Sequence, residues 1–117
     1  MSGSLFHARR FSRRPYIGAD GGEHWEVELI DGDADVVSHS SWLELIGYCA
    51  ALGVPEDLWP TFERECAIDV PLDQVEAKQA LFREALRKLS LAHVSGHELL
   101  SRVVTYLDRD EAVFFTD

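Results

Sequence analysis

A chain of 117 residues and 13.2 kDa has room for one compact domain, which excludes a cofactor domain joined to a separate substrate domain. By surface scaling such a chain exposes roughly 19,000 Å² unfolded and roughly 6,400 Å² folded, so it can bury a core without metals or disulfides. With 46% apolar and 27% charged residues the composition is that of a globule, and no apolar run approaches the length of a membrane span. The opening residues lack the apolar core of a secretory signal, so the expected location is cytoplasmic.

The net charge of -10 is unevenly spread. Residues 1–14 carry Arg9, Arg10, Arg13 and Arg14 and no acid. Residues 15–63 hold eleven acids and no Lys or Arg, so their mutual repulsion must be relieved by salt, by distant bases or by a partner. Residues 64–117 are nearly balanced, with seven bases and ten acids. Duplex nucleic acid is disfavoured as a partner, because phosphate binding needs Lys and Arg that only the first block concentrates.

Residues 1–14 show no regular period, and Pro15 marks an edge, so the expected organisation is a basic flexible arm over 1–14 and one globular domain over 15–117. The arm has three possible fates: folding onto its own acidic block, crossing to a neighbouring copy, or staying free. Tyr16–Ala19 reads as a short strand and Asp20-Gly21-Gly22 as a turn. The run from His24 to Ile30 alternates with period two, placing Trp25, Val27 and Leu29 on one face. Asp31-Gly32 predicts a tight hairpin, with Val36-Val37-Ser38 returning as its partner.

Ser41 with Glu44 forms a capping box for a first helix over 41–52, whose stripe is Trp42, Leu45, Ile46, Cys49 and Leu52 and whose stop is Gly53. A turn at 55–58 and a short helix near 60–67, opened by Pro60, follow. Asp73 caps a third helix over 74–89, with Val75, Phe82, Leu86 and Leu89 inside. Ser95 with Glu98 opens a fourth, with Leu99, Leu100, Val103, Val104 and Leu107 inside. Ala112–Thr116 closes the chain as a strand that could pair with 24–30. The expected fold is α+β: a small antiparallel sheet, made of the N-terminal hairpin and the C-terminal strand, packed on three to four helices.

Motifs for chemistry are sparse. Asp31, Asp33 and Asp35 begin like a calcium loop, but Val36 stands where the glycine is needed and Trp42 where the bidentate glutamate is needed, so a hairpin tip is the better reading. His93 and His97 are four apart, yet Ser95 and Gly96 interrupt the helix between them, and Ser101 stands where a zinc protease needs its second histidine. A general acid–base site joining His97 and Glu98 to His39 and Asp110 would need a convergence that spacing does not supply. Glycine-rich phosphate loops and nucleophile elbows are absent. Cys49 and Cys66 follow apolar helical spacing and read as buried thiols, and Trp25 and Trp42 as core. Trp59, in an acidic and proline-punctuated segment, reads as a partly exposed anchor.

These features predict a non-enzymatic acidic module that binds a basic protein, with Glu23, Glu26, Glu28, Asp31, Asp33, Asp35, Glu56, Asp57 and Trp59 as its contact residues. Size and charge suit an inhibitor, of the kind represented by toxin immunity proteins and phage-encoded inhibitors; this is analogy. No catalytic residue, metal or cofactor is expected. The alternatives are a small enzyme or enzyme subunit with a histidine–carboxylate site, and a self-associating assembly protein.

Overall fold

The computed structural model describes residues 2–62 and 72–116; at 2, 11, 13, 14, 23–29, 62, 72–76 and 116 it describes the backbone alone. The elements in chain order are strands β1 (Ser2–Ile17) and β2 (Glu23–Ser38), helix α1 (His39–Ala50), a 3-10 turn (Glu56–Leu58), strand β3 (Thr61–Phe62), helices α2 (Leu72–Arg87), α3 (Leu91–Ser95) and α4 (Glu98–Asp108), and strand β4 (Ala112–Thr116). The α+β class is as expected. The sheet has four strands in the order β2-β1-β4-β3, all antiparallel except the short parallel pair of β3 with β4.

The largest departure from expectation is at the start of the chain. From Ser2 onward the residues read as an arm form β1, an inner strand hydrogen-bonded to β2 on one side and to β4 on the other. Its arginines therefore fold onto the chain's own acidic block: Arg10 lies opposite Ile30, Arg13 opposite Val27 and Arg14 opposite Glu26. Period two is faint in β1 because both faces are covered near its start. Leu5 joins the core beneath the helices, while Ala8 is also fully buried although three residues along the strand.

The hairpin turn also moves. Gly18 donates to the Gly22 carbonyl at 2.9 Å, Gly21 takes a φ of 78°, and Asp20 accepts the Gly22 amide at 2.9 Å, so the chain reverses at 18–22. Asp31-Gly32 is not a turn: β2 continues through it to Ser38. Gly32 is needed there for close approach, since a Cβ at that position would lie 2.5 Å from the Ala8 Cβ and from the His7 carbonyl oxygen. Asp31 takes a left-handed φ of 56°, and the ladder skips the pair between Arg9 and Asp31. Beyond that point β4 no longer accompanies β1, because their register covers only Ser4–Ala8 against Ala112–Thr116. Residues 9–31 thus continue as a two-stranded ribbon about 30 Å long, by the usual rise of about 3.3 Å per residue. The molecule measures 48 × 28 × 23 Å and exposes 7037 Å², more than the scaling value.

The helical half follows the stripes but not the caps. Ser38, the last residue of β2, caps α1 by accepting the Ser41 amide at 3.1 Å, so Ser41 lies inside the helix. Trp42, Leu45 and Cys49 are buried, and Gly53 ends the turn beyond α1 with a φ of 93°. Burial pushes the Cys49 thiol up to about 11. Thr61 and Phe62 pair with β4 rather than opening a helix; the rest of that predicted helix, with Cys66, lies outside the described residues. Asp73 lies within α2 instead of capping it. Ser90 caps an unforeseen helix, α3, and His97 caps α4 through Nδ1, leaving Ser95 to donate to the Leu91 carbonyl at 2.9 Å.

The core lies between the helices and one sheet face. Trp42 stacks on Phe115 at 4.7 Å and meets Trp59 edge-on at 5.3 Å, and Trp59 in turn meets Phe82 at 4.9 Å. Leu45, Leu86, Leu100, Val103 and Leu107 close around this aromatic column. Beside the short β3 the edge of β4 is sealed by a side chain: the buried Gln79 amide donates to the Val113 carbonyl and accepts the Val113 amide at 3.2 Å. Gln79 thereby substitutes for a strand.

Three substitutions check this reading by thermal or denaturant unfolding. Gly32→Val is expected to cost about 2 kcal/mol through the clash with Ala8, whereas Gly47→Ala, in open space within α1, is expected to stabilise by about 0.5–1 kcal/mol. Gln79→Met keeps the volume, strands both Val113 backbone groups, and should cost about 2 kcal/mol.

Candidate functional site

The structure separates the predicted contact residues into three places. Glu23, Glu26, Glu28, Asp31, Asp33 and Asp35 all belong to β2, opposite Ile17, Arg14, Ser12, an unpaired register position, His7 and Leu5 respectively. Glu56 and Asp57 are exposed on the 3-10 turn just before β3, at the opposite edge of the sheet. With β1 and β4 between them, β2 and the β3 edge beside this turn stand about 14 Å apart by strand spacing alone. Trp59 belongs to neither surface: at 2% exposure it is core, held by Trp42 and Phe82, and the expectation of an exposed anchor is corrected. The side chains of Glu23, Glu26, Glu28 and Trp25 lie outside those described.

Along the described part of β2 the acids differ in their commitments. Asp31 is exposed and pairs with Arg10, which ties the base of the ribbon across the skipped register position. Asp33 is exposed and accepts only the adjacent Ala34 amide at 2.8 Å among the described contacts. Asp35 is drawn inward. It accepts the Tyr106 hydroxyl and lies 3.8 Å from Arg102 and 3.8 Å from His7 Nε2. Ile30, Gly32, Ala34 and Val36 are exposed between these acids, Val36 at 83%. β2 has β1 as its only hydrogen-bonded neighbour, so its outer edge is open among the described residues.

A second cluster, which spacing did not reveal, holds the sheet to α4. The His7 ring stacks on the Tyr106 ring at 3.7 Å and 6°. Its Nδ1 lies 2.8 Å from the nearly buried Glu111 carboxylate, and its Nε2 faces Asp35. Arg102 divides its guanidinium between Asp35 and Glu98, the latter at 3.7 Å. Burial, then the bond to Asp35, raises the Tyr106 phenol to about 12. Each imidazole nitrogen faces a carboxylate, so the array serves as a polar staple between β1, β2, α4 and the start of β4.

The other predicted polar residues play structural parts. His97 caps α4 and packs against Tyr48, whose hydroxyl donates to the His93 carbonyl at 2.9 Å. Asp110 lies 3.7 Å from Arg83. A cleft of about 300 Å³ opens between the first turns of α1 and α4, lined by Ser38, Ser41, Glu44, His97, Glu98 and Arg102. No set of three or more His, Cys, Asp or Glu is placed to hold a metal among the described residues.

No family model, curated protein or solved structure matches this chain.

The staple makes a prediction about alkaline pH. A phenol whose folded pKa is raised to about 12 from its usual 10 favours the folded state below pH 10, and that contribution is lost as pH rises through 12. The melting temperature should therefore fall across that window, and less steeply in Tyr106→Phe. The absorbance difference between the two proteins should show one tyrosinate forming near pH 12; ionisation near pH 10 overturns the assignment.

Proposed function

We propose that this chain is a recognition module that binds a basic protein through the acidic edge strand β2, in the manner of an inhibitor that neutralises its target. The observation that carries the reading is the contrast between the two sheet edges. At one, the outer side of β4 is closed by the two-residue β3 and the Gln79 amide. The other, β2, is 16 residues long, carries six carboxylates and no Lys or Arg, and is open along its described outer side. Long open edges invite pairing, and natural proteins usually blunt them. A row of like charges repels a second copy of the same edge and attracts a cationic surface, which favours a foreign basic partner over self-assembly. Glu56, Asp57 and Trp59 drop out of the contact set, the acids by distance and the tryptophan by burial.

The test begins with partner capture from the native host at low ionic strength, by cross-linking and mass spectrometry, which is expected to return a protein rich in Lys and Arg. The association rate of that pair should fall about tenfold or more between 50 and 300 mM salt. Asp33→Lys should slow it about threefold to tenfold and leave the melting temperature nearly unchanged, since Asp33 is exposed. An acidic or neutral partner, or a rate indifferent to both salt and Asp33→Lys, overturns the reading.

A further inference from the structure

We infer that the partner engages β2 as an added strand: an extended basic segment of another protein pairs with the outer edge of β2, backbone to backbone. This rests on the reading of β2 as the recognition surface and specifies how the surface is used.

The first argument is the state of the edge. In an antiparallel sheet an edge strand directs alternate N–H and C=O groups away from its neighbour. From Ile30 to Val36 the described residues are exposed except Asp35, so this stretch presents backbone as well as side chains to solvent. β2 contains no proline or lysine, the residues that commonly discourage strand addition.

The second argument is charge. Pairing two copies through β2 would bring together two strands that each carry six carboxylates, of which the described cations answer only Asp31 and Asp35, and this disfavours a second copy as the occupant. A strand carrying Lys or Arg reverses the sign of every such contact. The chain contains its own precedent: β1, with four arginines at 9–14, already pairs along the inner side of the same strand, and Arg10 meets Asp31. A basic segment on the outer side repeats that arrangement. Nucleic acid has the wrong sign for this edge.

The third argument fixes length and pattern. Seven residues from Ile30 to Val36 span at most about 23 Å, less the turn at the left-handed Asp31, so the entering segment needs no more than about seven residues. Asp31 and Asp33 ask for Lys or Arg, while Ile30, at 38% exposure, and Val36, at 83%, ask for apolar neighbours. The recognised class is therefore an extended segment in which basic and apolar residues alternate, a form of strand addition whose affinity comes from main-chain bonds and whose selectivity comes from side chains.

The test uses the full chain and fluorescent heptapeptides alternating Lys and Val, followed by anisotropy. Two further peptides carry N-methyl groups on alternate backbone amides, one set for each edge of the peptide, keeping charge and length but removing the donors of that edge. One set is expected to weaken binding at least tenfold and the other to leave it nearly unchanged. Amide exchange of the bound protein should slow at 30–36, and Asp33→Lys should weaken the parent peptide. If both methylated peptides bind as tightly as the parent, strand addition is wrong and acidic recognition stands. If the Lys peptide binds no better than its Glu counterpart, the recognition reading fails as well.

Discussion

The antiparallel pairing of residues 2–17 with 23–38 supports most of what else the molecule does. It joins a strand with four arginines to one with six carboxylates, so part of the repulsion within the acidic block is offset by the residues immediately before it, Arg10 pairing with Asp31. Each exposed ion pair contributes only about 0–1 kcal/mol, so charge alone does not hold such a ribbon. An isolated hairpin is marginal in water and needs a third strand or a helix behind it. That support comes at the base, where β4 pairs with Ser4–Ala8, Gly32 lets the two backbones close on each other, and His7 is held between Glu111 and Asp35. Position 35 therefore has a double duty: it belongs to the acidic strand by sequence and to the internal staple by contact.

The sheet treats its two edges differently, and the difference is chemical. Beside β4 the chain uses a two-residue strand and then a single buried glutamine amide whose two ends match the amide and carbonyl of Val113. Beside β2 it uses charge. A glutamine seal satisfies the backbone groups of β4, whereas carboxylates leave those of β2 unpaired. The first arrangement closes a surface, and the second leaves one open beneath a row of negative charge.

How much of this could be read in advance depends on the range of the interaction involved. Apolar stripes are local, and Trp42, Leu45 and Cys49 on α1, or Leu100, Val103 and Leu107 on α4, were legible because a helix turn brings them together without help. The turn at Asp20-Gly21-Gly22 was legible for the same reason. Asp31-Gly32 has nearly the same letters and a different role, because the need for glycine there comes from Ala8 across the sheet. Caps shifted by three residues at α1 because Ser38 and Ser41 both qualify, and the strand that ends at Ser38 decided between them. β1 escapes a local reading because its start is buried on both faces and loses alternation, and because Arg10 finds its acid, Asp31, on the neighbouring strand. The staple of His7, Asp35, Tyr106 and Glu111 joins residues up to 104 positions apart, beyond the reach of any spacing argument. Gln79 left a trace: a polar residue at a stripe position between Val75 and Phe82 signals a buried amide with work to do.

The register of β1 with β4 has a consequence for how the chain acquires its structure. His7 meets Glu111 across 104 intervening steps of sequence, so the inner strand of the sheet receives its second neighbour from the far end of the same domain. Closing a loop of that length carries an entropic cost of about 4 kcal/mol before any contact rewards it. During synthesis β1 and β2 emerge early and can zip together, while the position reserved for β4 stays vacant until nearly every other element has been made. A lone ribbon is marginal in water, so through that interval the hairpin forms and dissolves repeatedly, open on both sides, until the helices gather and deliver β4. A topology of this kind, with its long-range pairing of β1 and β4, folds more slowly than a bundle of helices of the same length.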